Sequence, residues 1–276
     1  MTHFLGIEYG RGCLKNAIDG GPALGPRAIE KMFPAHKWSI ITAEPFNPIE
    51  CANDRFGENF KIQQKICQNT PNTPHIMVGG DHSVNYGHFV ALANALPEQN
   101  LCLIYIDAHL DIHTPETAIA QASGAPHGTN VRALLGNGDA RWLTLQDKRP
   151  ALRPENLFYI GTRSFEPAEI EFATRQNIYI KYANELNTLS DWEQTVSEIR
   201  ERIDDRPFVV SFDFDAIDPK YFRDVLVPAK NGLCVDAAKY FINAFKDAHC
   251  FEFVEYAPNG DKQSAQITHD LIEILV

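Results

Sequence analysis

Eight short runs of apolar, β-forming residues alternate along the chain with longer segments of helical periodicity, and that alternation restricts what it can fold into. The runs are FLGIEY (4–9), WSIIT (38–42), HIMV (75–78), LCLIYI (101–106), LFYIG (157–161), IYIK (178–181), PFVVSF (207–212) and FEFVEY (251–256). Between them the apolar residues recur at helical spacing over 24–33, 52–68, 83–96, 129–136, 167–176, 190–204, 236–247 and 262–275. Strands that alternate with helices imply βαβ crossovers and a parallel sheet. The strand runs are apolar on both sides of the chain, as expected of strands covered on both faces. No internal repeat, low-complexity tract or Pro/Gly/Ser-rich linker interrupts the pattern, so one domain over residues 1–276 is expected.

In open parallel sheets ligands bind at the carboxyl ends of the strands, and there this sequence concentrates its polar chemistry. HIMV runs into GGDHS, LCLIYI into DAHLD, PFVVSF into DFDAIDP, and FEFV into EYAP. Asp107, His109 and Asp111 are spaced i, i+2, i+4, which puts their side chains on one face of an extended segment. Asp213 and Asp215 repeat the spacing, and His82 adds an imidazole after Gly79–Gly80. Four carboxylates and two imidazoles are enough for two divalent ions with bridging carboxylates. An oxygen-rich set with some nitrogen favours Mn²⁺, since thiolates suit Zn²⁺ and all-oxygen sites suit Mg²⁺ or Ca²⁺. Such pairs sit about 3.5 Å apart and acidify a shared water. Asp218, before Pro219, is expected to fix the turn below the ions rather than touch them.

Charge and cysteine usage narrow the function. With 25 basic and 36 acidic side chains the formal charge is -11. That disfavours nucleic acid, whose binders carry a basic face, and suits a cationic substrate drawn to a negative cleft. The start MTHFLGIEYG lacks the basic and long apolar regions of a signal peptide, and no apolar run is long enough to cross a membrane. The six cysteines form no C-x-x-C pair and read as reduced core thiols of a cytoplasmic protein.

GGDHS (79–83), DAHLDIHTP (107–115), SFDFDAIDP (211–219) and VEYAP (254–258) resemble, in order, the signatures of the ureohydrolases, the family of arginase and agmatinase. GGPALGPRAI (20–29) resembles that family's opening segment, so the matches run over most of the chain. The resemblance implies a three-layer α/β/α fold with a mostly parallel eight-stranded sheet, and trimers or hexamers. It implies two Mn²⁺ held by His82, Asp107, His109, Asp111, Asp213 and Asp215, with Asp107 and Asp213 bridging. It further implies that Asp111 moves a proton from the nucleophile to the leaving amine, that Glu255 pairs with the guanidinium, and that His127 shuttles protons. The implied reaction is hydrolysis of a guanidino compound to urea and an amine, closest to the arginase conversion of arginine to ornithine.

The resemblance is thinner where the rest of the substrate would lie. Glu166 and Glu169 match carboxylates that arginases place near the substrate α-amino group, and Ser123 matches a hydroxyl used on the α-carboxylate. The two glutamates fit equally the first turn of a helix, where the macrodipole favours them. His113 and Ala125 stand where arginases carry asparagines, and Val227 replaces a threonine. His113 is a candidate substrate contact, although a lone loop histidine is expected at the surface. The alternatives are an agmatinase or guanidino-acid hydrolase, and a catalytically silent regulatory or binding homologue. An amide deacetylase ranks below both, because such sites use one Zn²⁺.

Overall fold

In the computed structural model, residues 2–13, 20–96 and 100–276 are described. The strands are β1 (His3–Glu8), β2 (Lys37–Thr42), β3 (His75–Val78), β4 (Cys102–Ile106), β5 (Leu157–Thr162), β6 (Tyr179–Tyr182), β7 (Phe208–Asp213) and β8 (Cys250–Val254). They form a single sheet in the order β2-β1-β3-β8-β7-β4-β5-β6, and every pairing is parallel. The helices are α1 (Gly25–Met32), α2 (Pro48–Asn53), α3 (Arg55–Asn69), α4 (Asn85–Ala95), α5 (Asn130–Leu134), α6 (Ala140–Leu143), α7 (Pro167–Arg175), α8 (Leu189–Ile203), α9 (Val235–Ala244) and α10 (Lys262–Ile272).

Alternation along each strand builds the three layers. Cys102, Ile104 and Ile106 of β4 join a core with Ile29 of α1, Ile199 of α8, Phe241 of α9 and Leu271 of α10. Leu103 and Tyr105 point the other way, into a core with Phe89 of α4, Val131 of α5, Trp142 of α6 and Ala173 of α7. Ile62 and Ile66 of α3 extend this second side over Leu5 and Ile7 of β1. β4 is therefore apolar on both faces, and the polar residues of its segment follow its carboxyl end. Among the described residues no helix is long and apolar enough to cross a membrane. All six cysteines are free thiols.

The structure departs from the sequence reading in local ways. The helical pattern over 52–68 is two helices, because Asp54 leaves helical dihedrals and its side chain caps α3 by accepting from the Gly57 N–H at 2.9 Å. The run 251–256 stops as a strand at Val254, and Glu255 turns out of the sheet with φ at 65°. Gly80 serves close approach. A Cβ there would stand 1.6 Å from the Tyr9 carbonyl oxygen. That carbonyl accepts from the Asp81 N–H at 2.9 Å, and the Gly80 carbonyl accepts from the Glu255 N–H at 2.8 Å. The ends of β1, β3 and β8 thus meet at one residue with no room for a side chain.

Gly80→Ala is expected to lower stability by about 1–3 kcal/mol or more, the scale of overpacking, read from urea unfolding midpoints. An unchanged midpoint would contradict this junction.

Candidate metal centre

Two strand ends supply the buried aspartates. Asp107 follows β4, Asp213 closes β7, and Asp215 sits in the short 3-10 turn that follows it. These segments are turns and not the extended alternation that the spacing suggested. Asp107 Oδ1 accepts the His109 N–H at 2.7 Å, and Asp213 Oδ1 accepts the Asp215 N–H at 2.7 Å. Each aspartate holds its own turn and leaves its other oxygen, Oδ2, for the site. Asp111 adopts φ of 53°, a left-handed conformation rare outside glycine. Like Glu255, it is a strained backbone position at a cluster of functional groups.

The side chains converge as two groups. His82 Nδ1 lies 2.9 Å from Asp107 Oδ2, 3.1 Å from Asp213 Oδ2 and 3.6 Å from Asp111 Oδ2. His109 Nδ1 lies 3.1 Å from Asp215 Oδ2 and 3.4 Å from Asp107 Oδ1. Asp107 belongs to both groups, and within each the donor atoms of His82, Asp107 and Asp111, or of Asp107, His109 and Asp215, lie within 4.8 Å of one another.

This donor set fits divalent cations. One imidazole nitrogen faces three carboxylate oxygens, although it can give a single proton. The opposite nitrogen, His82 Nε2, is engaged by Ser211 Oγ at 2.9 Å, the outer contact that metal-binding imidazoles commonly make. Asp107 Oδ2 is buried and makes no well-aligned hydrogen bond, although His82 Nδ1 stands 2.9 Å from it. Electrostatics say the same. Burial, reinforced by neighbouring carboxylates, pushes the Asp213 and Asp215 carboxyls up and raises Asp111 to about 7. The imidazoles of His82 and His109 are raised despite burial, by bonds to Asp107 and Asp213 and by the charge of Asp215. The site attracts positive charge, and protons take that place when nothing else does.

The other candidate residues line one pocket of about 230 Å³ with His82, His109, Asp111, Asp213 and Asp215. Glu255 Oε1 accepts the His82 N–H at 2.8 Å, while Oε2 is buried with no partner. His127 Nδ1 meets the Gly12 carbonyl at 3.0 Å. A carbonyl only accepts, so Nδ1 carries the proton and Nε2 keeps its lone pair. Burial pushes this imidazole down to about 4, which leaves it neutral at physiological pH. At the far end stand Ser123, His113, Glu166 and Glu169. His113 is buried, 2% exposed, and not at the surface as a lone loop histidine would be. The loop that follows it folds back over α7 and encloses the ring. Glu169 lies in the first turn of α7, where its Oε2 accepts the Glu166 N–H at 2.9 Å. Asp218 holds the turn below, accepting from the Lys220 and Gly232 N–H groups at 3.0 Å each.

Several supporting residues escaped the sequence reading. Ser211 lies two positions before Asp213 in β7, a spacing that marks the same strand face. Tyr105 stacks on the His82 ring at 4.3 Å and donates to Asp111 Oδ2 at 2.7 Å. Asp81, beside His82, accepts the Gly12 N–H at 2.7 Å and the Ser83 N–H at 3.0 Å. Arg163 donates to the carbonyls of Gly161, Asp215, Ala216, Ala229 and Lys230, pinning the segment after β7.

Asp107→Asn is expected to weaken Mn²⁺ binding in both donor groups, and His109→Ala in one, as read by calorimetric titration. Equal losses from the two variants would contradict a shared carboxylate.

The arginase family model matches residues 5–276. An arginase of Entamoeba histolytica is 24% identical over 229 residues, covering 81% of this chain and 74% of that protein. A non-hepatic arginase of Xenopus laevis is 30% identical over 245 residues, covering 83% of this chain and 64% of that protein, just under two thirds of its length. Among solved structures, arginase from Bacillus cereus superposes with a TM-score of 0.85 at 20% identity, over 99% of this chain and 97% of that one. Proclavaminate amidino hydrolase from Streptomyces clavuligerus gives 0.74 at 20% identity, over 99% of this chain and 90% of that one. At these identities the structural likeness speaks for the fold alone. The match to the family model over nearly the whole chain carries the assignment: the chain is a hydrolase of the arginase family.

Proposed function

We propose that this chain hydrolyses a small guanidino compound to urea and an amine, at two divalent cations held by His82, Asp107, His109, Asp111, Asp213 and Asp215. Mn²⁺ suits the oxygen-rich, nitrogen-containing donor set. The observation that carries the reading is Glu255 Oε2, a buried acceptor without a partner, in the same pocket as two carboxylate–imidazole groups that share Asp107. When bound, the cations supply an acidified shared water and Lewis-acid polarisation of the reacting carbon.

The remaining roles fall to the protein. Glu255 receives guanidinium N–H groups on Oε2, since a planar guanidinium presents its donors as a fork matched to a carboxylate. The His82 N–H fixes Oε1 and so orients that carboxylate. Asp111, steadied by the Tyr105 hydroxyl, accepts a hydrogen bond from the attacking water and passes a proton to the departing nitrogen. His127 exchanges protons through Nε2, its tautomer set by the Gly12 carbonyl. Burial pushes the Glu255 carboxyl up, with the charges of Asp213 and Asp81 adding to it. A cationic substrate headgroup relieves that repulsion.

With Mn²⁺ supplied, urea release is expected from at least one guanidino compound, and chelation is expected to abolish it. Glu255→Gln is expected to lower kcat/KM by about tenfold to a hundredfold, the worth of one hydrogen bond to a charged group. His127→Asn is expected to lower kcat by about a hundredfold or more, with partial recovery on adding imidazole. No urea from any guanidine by a fully metallated sample would remove the proposal.

A further inference from the structure

We propose that this site selects a guanidino compound whose far end carries no ammonium group. The inference rests on the guanidine-hydrolase reading and concerns the other end of the same pocket. Two carboxylates there, Glu166 and Glu169, are the groups that could receive a substrate ammonium. Both are already occupied by the protein.

The segment after Asp111 supplies the occupants. The N–H groups of Ile119 and Ala120 donate to Glu166, at 2.5 Å to Oε2 and 3.1 Å to Oε1. The Ser123 hydroxyl bonds the same carboxylate. Glu169 accepts the Glu166 N–H at 2.9 Å on Oε2 and the Ile112 N–H at 3.4 Å on Oε1. The His113 ring fills the gap between the two acids, with Nε2 3.2 Å from Glu169 Oε2 and 3.5 Å from Glu166 Oε2. A carboxylate offers about four acceptor positions, and Glu166 has three donors and an imidazole edge around it. Glu169 is buried, and an ammonium at Glu166, whose side chain is 19% exposed, would have to compete with the loop N–H groups that it already holds. The pair is a latch that fastens residues 112–123 to the start of α7.

What remains for a substrate tail is neutral. Ser164, Phe165, Ala122 and Val227 complete that end, and Phe165 and Val227 are 43% and 44% exposed apolar groups. Among the described residues no lysine or arginine lines the pocket. The guanidinium end keeps its anionic partners. The molecule is thus built to read one cationic group and not two.

The size of the effect makes the test clear. A site that hydrogen-bonds a polar substrate group rejects the analogue lacking it by about 10⁴–10⁵-fold. A site that does not read the group shows no such penalty. The Mn²⁺-loaded enzyme is assayed for urea release with two pairs of substrates. One pair is arginine and the same guanidino acid with hydrogen in place of the α-amino group. The other is agmatine and butylguanidine, which differ by a terminal ammonium. Within each pair the compound without the ammonium is expected to show a kcat/KM at least equal to its partner's. Preference for arginine or agmatine over its ammonium-free partner would overturn the inference and leave the hydrolase reading standing. Urea from none of the four would instead count against that reading. Calorimetric binding of ornithine and of its des-amino counterpart asks the same question without turnover, and tighter binding of ornithine would likewise overturn it. Turnover of both ammonium-free compounds points to an apolar tail, and of the acid alone to a carboxylate tail. Either result supports the absence of an ammonium subsite.

Discussion

Buried negative charge at the ends of β4, β7 and β8 is the constraint around which the rest of the molecule is arranged. Asp107, Asp111, Asp213, Asp215 and Glu255 are all buried, none more than 7% exposed, and surround two imidazoles. Taking one unpaired carboxylate out of water costs several kcal/mol, and five in one place cannot persist without cations or protons among them. The directions of titration express this, with Asp213, Asp215 and Glu255 pushed up and both histidines raised. A fold that retains such a cluster is organised for what neutralises it.

The sheet makes the cluster possible and the turns make it specific. Parallel strands covered on both faces bring their carboxyl ends to one edge without exposing backbone. Short turns, closed by the aspartates' own side chains, then aim the remaining oxygens inward. Outer groups hold this aim. Ser211 fixes the His82 ring, Glu255 fixes the His82 backbone, and Arg163 ties the carbonyl of Asp215 to those of residues 229 and 230. The far end of the pocket is built differently, since its two glutamates serve the protein's own loop before any ligand. The reacting end and the selecting end can therefore vary independently on one scaffold.

Much of this was legible in the sequence because its signals are local. A strand buried on both faces must be a short apolar run, and all eight runs are strands. The acids at their ends stand out against that background. What was missed depends on long-range packing. Asp54 splits a helical pattern because its side chain caps the second helix. Neither Ser211 nor Tyr105 carries a charge to mark it, and their roles emerge only when β7 and β4 come beside His82. His113 was misplaced for the same reason. Its burial comes from a loop that closes against α7, a contact between segments more than 50 residues apart. The extended geometry expected of D-x-H-x-D failed because Asp107 bonds its own turn, which alternation alone does not reveal.

Anomalous diffraction from crystals of the Mn²⁺-loaded protein tests the central claim most directly. The account predicts two peaks about 3.5 Å apart, with Asp107 between them, His82 beside one and His109 beside the other. A single peak, or ions bound away from Asp107, would contradict it.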